Sequence, residues 1–280
     1  MGSCSYVVAS VEIEAGNCTF APEVALVQDL RVALERGEFS LAYQPIVDVD
    51  SGTIVGVESL CRWRHPERGL IPPATFIPLA EESGQIITLG RWILNETCRQ
   101  VKEWQRQQPL FASVNVSVVQ LDDPDLADDV ARALADTGLA PQSLLLEVTE
   151  TALSGRPAAA AATLGRLAEL GVRVAIDDFG AGHSSLARLR SLHANVLKID
   201  RSFVNDMLAD PDAASMVRFV VDLAASLGLT VVAEGIERAD QLTALRALGC
   251  DLAQGYHLGI PMPRDAFSAL LADPAQASTR

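Results

Sequence analysis

Six short apolar runs, each ending in polar residues, constrain this chain more than any other feature. They are Phe111–Val116, Ser143–Val148, Arg173–Asp177, Val196–Asp200, Thr230–Ala233 and Leu252–Tyr256. Each is too short for a core helix and too continuous for a half-solvated strand. That is the pattern of strands buried on both faces of a parallel sheet. Stretches with helical periodicity lie around and between them, near 74–82, 87–107, 124–137, 157–170, 184–191, 212–227, 238–248 and 264–272. Upstream, Leu26, Leu30, Ala33 and Leu34 form a helical stripe that stops near Gly37. Phe39, Leu41 and Tyr43 then alternate as a strand, Asp50-Ser51-Gly52 turns, and Ile54–Leu60 reads as a second strand. So short a connection makes these two antiparallel. Two strands and six make eight, which over about 250 residues predicts an α/β fold of the (β/α)₈ barrel type. An open doubly wound sheet is the rival, weakened because no GxGxxG follows any strand. Residues 1–21 read as a tail or remnant, and 22–280 as one domain.

The polar residues at the strand ends are the chemical signal. In chain order they are Glu58, Asn115, Glu147 with Glu150, Asp177 with Asp178, Lys198 with Asp200, Glu234 with Glu237, and Gln254. In a barrel these ends converge on one mouth, where such folds build their sites. Two adjacent acids, Asp177 and Asp178, crowd negative charge. Alone they read mostly as a solvated turn; in this company they suit divalent metal, one acid bridging two ions. Carboxylate and amide oxygens favour Mg²⁺ or Mn²⁺ over zinc. The four histidines (His65, His183, His193, His257) lack ligand-like spacing. His65 and His193 read as structural or surface residues, and the other two as loop residues.

Composition narrows the partners. A net charge of −14 argues against binding a nucleic-acid polymer or an anionic membrane surface. It leaves room for one small anionic ligand received by metal ions or local cations. No run approaches the roughly 18 apolar residues of a membrane span. The five cysteines are scattered without a CxxC pair, and no secretory signal is visible. Both point to a reducing cytoplasm.

Glu58-Ser-Leu-Cys-Arg62 resembles the Glu-Ala-Leu-x-Arg signature of the EAL-domain family, bacterial cyclic-di-GMP phosphodiesterases. The resemblance covers about residues 24–273. It includes Tyr43-Gln-Pro45, Phe76-Ile-Pro78 with Ala80-Glu81, Asn115-Val-Ser117, Glu147-Val-Thr-Glu150 and Asp177-Asp-Phe-Gly-Ala-Gly182. It continues through Leu197-Lys-Ile-Asp200 with Phe203, Ala233-Glu-Gly-Ile-Glu237 and Gln254-Gly255. It implies a barrel whose first strand runs antiparallel.

The resemblance also implies roles. Glu58, Asn115, Glu147 and Asp177 would bind a first Mg²⁺ or Mn²⁺, and Asp177 would bridge to a second ion that Asp178 also holds. Lys198 would contact the attacking water, and Glu234 would orient it or act as base. Gln254 would support the site, Gln44 and Arg62 would contact substrate, and Glu150 would anchor the Asp-Asp-Phe-Gly loop. The implied reaction opens cyclic-di-GMP to linear pGpG with two metals sharing an activated water, in a homodimer. Alternatives are a cyclic-di-GMP receptor or interaction module, and a phosphodiesterase for another nucleotide.

Some readings stay open beside these. Arg62 and Glu81 are candidates for an ion pair across the mouth. Phe203 reads as core rather than a base platform, Glu237 as the start of a helix, and Asp200 as a cap or supporting residue. Ser59 replaces the usual Ala, and its hydroxyl is expected to hydrogen-bond locally. Ala181 and His183 depart from the common Thr and Tyr in the loop linked to dimer contacts and metal affinity.

Overall fold

The computed structural model describes residues 22–150, 152, 157–180 and 192–272. The tail 1–21, the expected helix 184–191, and Ala181 and His183 lie outside the described residues. The first helix, Pro22–Ala33, buries the stripe of Leu26, Leu30 and Ala33. Gly37 turns the chain at φ 68°, a left-handed backbone that a residue without Cβ adopts freely.

The chain then enters β1 (Phe39–Asp48) and returns through β2 (Ile54–His65). They pair antiparallel, with Gln44 opposite Glu58. The short β3 (Gly69–Ile71) pairs with the far end of β2. Six more strands follow: β4 (Phe111–Asn115), β5 (Leu144–Thr149), β6 (Arg173–Phe179), β7 (Val196–Ile199), β8 (Thr230–Ala233) and β9 (Leu252–Ala253). β2 pairs parallel with β4, and from β4 to β9 each strand pairs parallel with the next. β1 closes the ring by pairing antiparallel with both β2 and β9, and β10 (Met262–Pro263) joins β1 on its other flank. The expected eight-stranded barrel with an antiparallel first strand is therefore present.

Three strands end earlier than their apolar patterns predict, β4 by a single residue at Asn115. β7 stops at Ile199 because Asp200 caps the helix Arg201–Asp206, accepting the Ser202 N–H at 3.0 Å. β9 stops at Ala253 because the chain turns at once: the Leu258 and Gly259 N–H groups both donate to the Gly255 carbonyl. Gly255 itself lies against the Ile236 backbone, where a Cβ would come within 2.1 Å of Ile236 N.

Each strand has one face toward the barrel axis and one toward the surrounding helices, because side chains alternate. The outward face makes the larger core. There Tyr43 of β1 meets Trp104 edge-on at 4.8 Å, and Trp104 meets Phe267 at 4.6 Å, tying the helices Gln85–Trp104 and Arg264–Ala272 to the sheet. The inward face makes a separate apolar plug of Ile46, Phe111, Leu145, Ala175, Val196, Val232 and Leu252. The Phe111 ring fills the space over Gly56, whose Cβ would lie 2.4 Å from it. The Arg173 guanidinium stacks on that ring, 4.5 Å from its centre.

Candidate active site

The site is the inward layer just above this plug. One pleat, two residues, separates Leu145 from Glu147, Ala175 from Asp177, Val196 from Lys198, Val232 from Glu234, and Leu252 from Gln254. On β1, which runs the other way, Gln44 precedes Ile46 by the same step. A period of two thus places an apolar floor and a polar rim on the same face of the same strands.

Lys198 lies at the centre. It is 1% exposed, and its ammonium lies 2.5 Å from Glu147 Oε2, 2.5 Å from Glu234 Oε1 and 3.3 Å from Asp177 Oδ1. Burial opposes its charge, but Glu147, Glu234, Glu58 and Asp177 together hold its pKa well above the ordinary lysine value. Burial pushes the Glu147 carboxyl well up. Burial likewise lifts Glu234 to about 7, with Asp177 and Glu58 adding to the rise and Lys198 opposing it. Glu147 also accepts from Ser113 Oγ at 2.5 Å.

Glu58 anchors the opposite side. Its Oε1 accepts from Asn115 Nδ2 at 2.7 Å and its Oε2 from Gln254 Nε2 at 2.6 Å. Gln254 Nε2 also reaches Gln44 Oε1 at 3.0 Å, and Gln44 Nε2 donates to the Gly259 carbonyl. Asp178 takes a left-handed φ of 54°, and its N–H donates to Asp177 Oδ1 at 3.0 Å. Partial burial, then the nearby Asp177 and Asp200 charges, lift its carboxyl to about 6. The Glu150 N–H donates to the Asp177 carbonyl at 3.2 Å, joining the end of β5 to the double-acid turn.

Above these groups opens a cleft of about 320 Å³, lined among others by Gln44, Glu58, Arg62, Asp177, Lys198, Arg201, Glu234 and Tyr256. Arg62 also borders a second, more apolar cleft of about 610 Å³ that reaches Ile77, Glu81 and Asn115. Every sequence-predicted site residue therefore belongs to the mouth or to the polar network beneath it. Ser113, Arg201 and Tyr256 were not predicted. Ser113 was findable, because it sits one pleat before Asn115 on the inward face of β4.

Five smaller expectations resolve here. No Arg62–Glu81 ion pair forms among the described residues; Arg62 Nη1 donates to the Cys61 carbonyl at 3.0 Å instead. Phe203 packs against the core, as expected. Glu237 precedes rather than begins its helix, which runs Ala239–Leu248, and it lines the cleft. The Ser59 hydroxyl, expected to bond locally, is buried without a hydrogen-bond partner among the described residues. His65 is structural, as expected: Nε2 meets Asp29 Oδ2 at 3.1 Å, and Nδ1 accepts the Glu67 and Arg68 N–H groups.

The donor set suits a hard divalent cation. Glu58, Glu147, Asp177 and Glu234 set four carboxylates against one ammonium, and Gln254 Oε1 is buried with no hydrogen-bond partner among the described residues. As they stand, the described residues do not draw three such ligands into a closed cage. Protein donors hold the oxygens of Glu58 and Glu147 instead.

Comparison with known proteins follows the same lines. The EAL domain model matches residues 27–261. The bifunctional diguanylate cyclase/cyclic di-GMP phosphodiesterase MucR of Pseudomonas aeruginosa is 43% identical over 258 residues, which is 91% of this chain and 38% of MucR. The chain spans about a third of the length of this and other curated relatives that it matches. Among solved structures, the PaMucR phosphodiesterase in complex with c-di-GMP superposes with a TM-score of 0.83 at 44% identity, covering 87% of this chain and 99% of that one. The FimX EAL domain of Pseudomonas aeruginosa bound to c-di-GMP gives a TM-score of 0.78 at 26% identity, covering 86% and 97%. With the family model spanning the whole barrel, from the first helix to the segment after β9, the chain belongs to the EAL domain family.

Proposed function

We propose that this domain hydrolyses cyclic-di-GMP to linear pGpG with the aid of two divalent cations. The observation that carries the reading is the buried Lys198, bracketed by Glu147, Asp177 and Glu234 at the floor of a cleft walled by Arg62 and Gln44. Likeness to a phosphodiesterase solved with c-di-GMP supports the choice of substrate. Glu58, Asn115, Glu147 and Asp177 would hold one Mg²⁺ or Mn²⁺, and Asp177 with Asp178 a second. Bound there, such ions lower the pKa of a water and neutralise charge gathering on phosphate.

The chain's own groups do the rest. Lys198 keeps its proton in this acidic ring, so it donates a hydrogen bond to the water and offsets phosphate charge rather than acting as base. Glu234 faces the same space and orients the water or takes its proton. The water oxygen bonds to phosphorus, the bond from phosphorus to the 3′ oxygen breaks, and that oxygen takes up a proton. Arg62 would accept a phosphate in its planar fork. Gln254 and Gln44 hold Glu58 in orientation, and Glu150 fixes the double-acid turn through its backbone. The apolar floor beneath excludes water from below and strengthens every charge interaction above it.

The domain would work in the cytoplasm as a homodimer, which sedimentation of the purified protein checks. No helix of the described residues is long and apolar enough to cross a membrane. A second reading, a receptor that binds cyclic-di-GMP without cleaving it, is favoured by one observation: protein donors already satisfy Glu58 and Glu147. The deciding experiment incubates the purified chain with cyclic-di-GMP and Mg²⁺ or Mn²⁺ and separates the nucleotides. The expected result is pGpG that disappears with EDTA. Tight binding without product under either metal selects the receptor, and cleavage of other cyclic nucleotides in preference selects a different substrate.

A further inference from the structure

Arg201 stands in the substrate cleft with no role yet assigned. It opens the helix Arg201–Asp206 directly after β7 and lines the same cleft as Arg62. Around the barrel the strands run β2, β4, β5, β6, β7, β8, β9, β1, so β7 is four places from β2 in either direction. Arg62 at the end of β2 and Arg201 after β7 therefore face each other across the mouth, with the Lys198 ring between them.

Local structure places Arg201 there. Asp200 caps its helix, and Gly235 lets it approach: a Cβ on Gly235 would lie 2.5 Å from Arg201 Cβ and 3.2 Å from its Cα. Gly235 also takes φ 73°, which strains any residue with a side chain. No ion pair or hydrogen bond of the Arg201 side chain occurs among the described residues, although the acidic ring is near. Among the described residues none of its five donors is engaged, and the residue borders the cleft. Arg62, by contrast, spends one donor on the Cys61 carbonyl.

We propose that Arg201 binds the phosphodiester of the cyclic dinucleotide that is not being cut, while the other phosphate lies over the Lys198 ring. This rests on the cyclic-di-GMP reading above. A cyclic dinucleotide carries two phosphodiesters on opposite sides of one ring, so a site built to hold it needs cationic groups on both sides. An arginine matches a phosphate through two parallel N–H donors. Arg201 thereby favours the cyclic dinucleotide over any phosphodiester with a single phosphate.

The test compares wild type with Arg201→Gln and Arg201→Lys. Cyclic-di-GMP affinity is measured by calorimetry with EDTA present, and turnover of cyclic-di-GMP and of bis(p-nitrophenyl) phosphate is measured with Mn²⁺. Arg201→Gln should weaken the affinity for cyclic-di-GMP about tenfold, the size of one lost charge-assisted hydrogen bond. The KM for cyclic-di-GMP should rise in step, with kcat and the single-phosphate substrate unchanged. Arg201→Lys should recover part of the affinity, and Arg201→Gln should bind with less dependence on salt than wild type. Unchanged affinity in Arg201→Gln overturns the assignment, as does an equal loss on both substrates, which marks a structural role. If wild type neither binds nor cleaves cyclic-di-GMP, the functional reading itself fails and this assignment falls with it. Wild-type activity with an indifferent Arg201 sinks the assignment alone.

Discussion

The barrel interior has two layers, built by the same strands one pleat apart, with opposite chemistry. The lower layer, Ile46, Phe111, Leu145, Ala175, Val196, Val232 and Leu252, is apolar and closed. The upper layer, Gln44, Glu58, Ser113, Glu147, Asp177, Lys198, Glu234 and Gln254, is polar and almost entirely cross-linked. Five of its side chains are ionisable, which is costly in a protein interior unless they pair. The difference teaches that stability and chemistry are stacked rather than mixed. The lower layer contributes burial; the upper layer gives some of it up to hold charge where a substrate can meet it.

That division can be broken first from above. Lys198→Met keeps the volume and removes the charge, leaving Glu147 and Glu234 buried without their cation. We expect a stability loss of about 3–5 kcal/mol, the usual cost of orphaning a buried charge, and at least a hundredfold (~10²) fall in turnover. Denaturant melts and the pGpG assay read the two effects separately. Glu58→Ala and Asp177→Ala should abolish turnover while leaving a folded barrel by circular dichroism. Wild-type rates in either would refute their place as metal ligands.

The lower layer should behave in the opposite way. Leu145→Ala opens a cavity one pleat below Glu147, and we expect it to cost about 2–5 kcal/mol with turnover per folded molecule retained. A variant that melts as wild type but loses activity would show that the two layers are coupled. Gly56→Ala drives a methyl into the Phe111 ring and should cost about 1–3 kcal/mol. Phe111→Leu in the same chain should recover part of that loss, which thermal denaturation measures.

The smallest effect is expected outside both layers. Ser59→Ala removes a buried hydroxyl that has no partner among the described residues, so it should leave turnover unchanged and raise stability by up to about 1 kcal/mol. A loss of stability instead would mean that the hydroxyl is satisfied in solution.

Much of this was legible in the sequence because it rests on periodicity. A run such as Val174-Ala-Ile-Asp-Asp178 shows its two-face burial and its acidic end in one line. The antiparallel hairpin was legible from a turn too short for a crossover. The ends of β7 and β9 were not, because a capping carboxylate and a close backbone contact cut each strand short where the apolar pattern ran on. Ser113 was overlooked because a serine inside an apolar run looks neutral until its neighbour across the pleat is known to be Glu147. The Arg62–Glu81 pair was a candidate from charge alone, but Arg62 donates to the carbonyl of its neighbour Cys61.

By itself the sequence determined where the buried strands run, that acids, two amides and a lysine crown them, and that the chain alternates strand and helix to make a barrel. Each follows from local alternation, which a single strand carries without its neighbours. Only the tertiary structure decided that Lys198 sits among Glu147, Asp177 and Glu234, that Glu58 is held by Asn115 and Gln254, and that Arg62 and Arg201 line one cleft. These depend on closure: β1 pairs with both β2 and β9. Until that ring forms, residues far apart in sequence have no fixed distance between them, and the charges have no common centre.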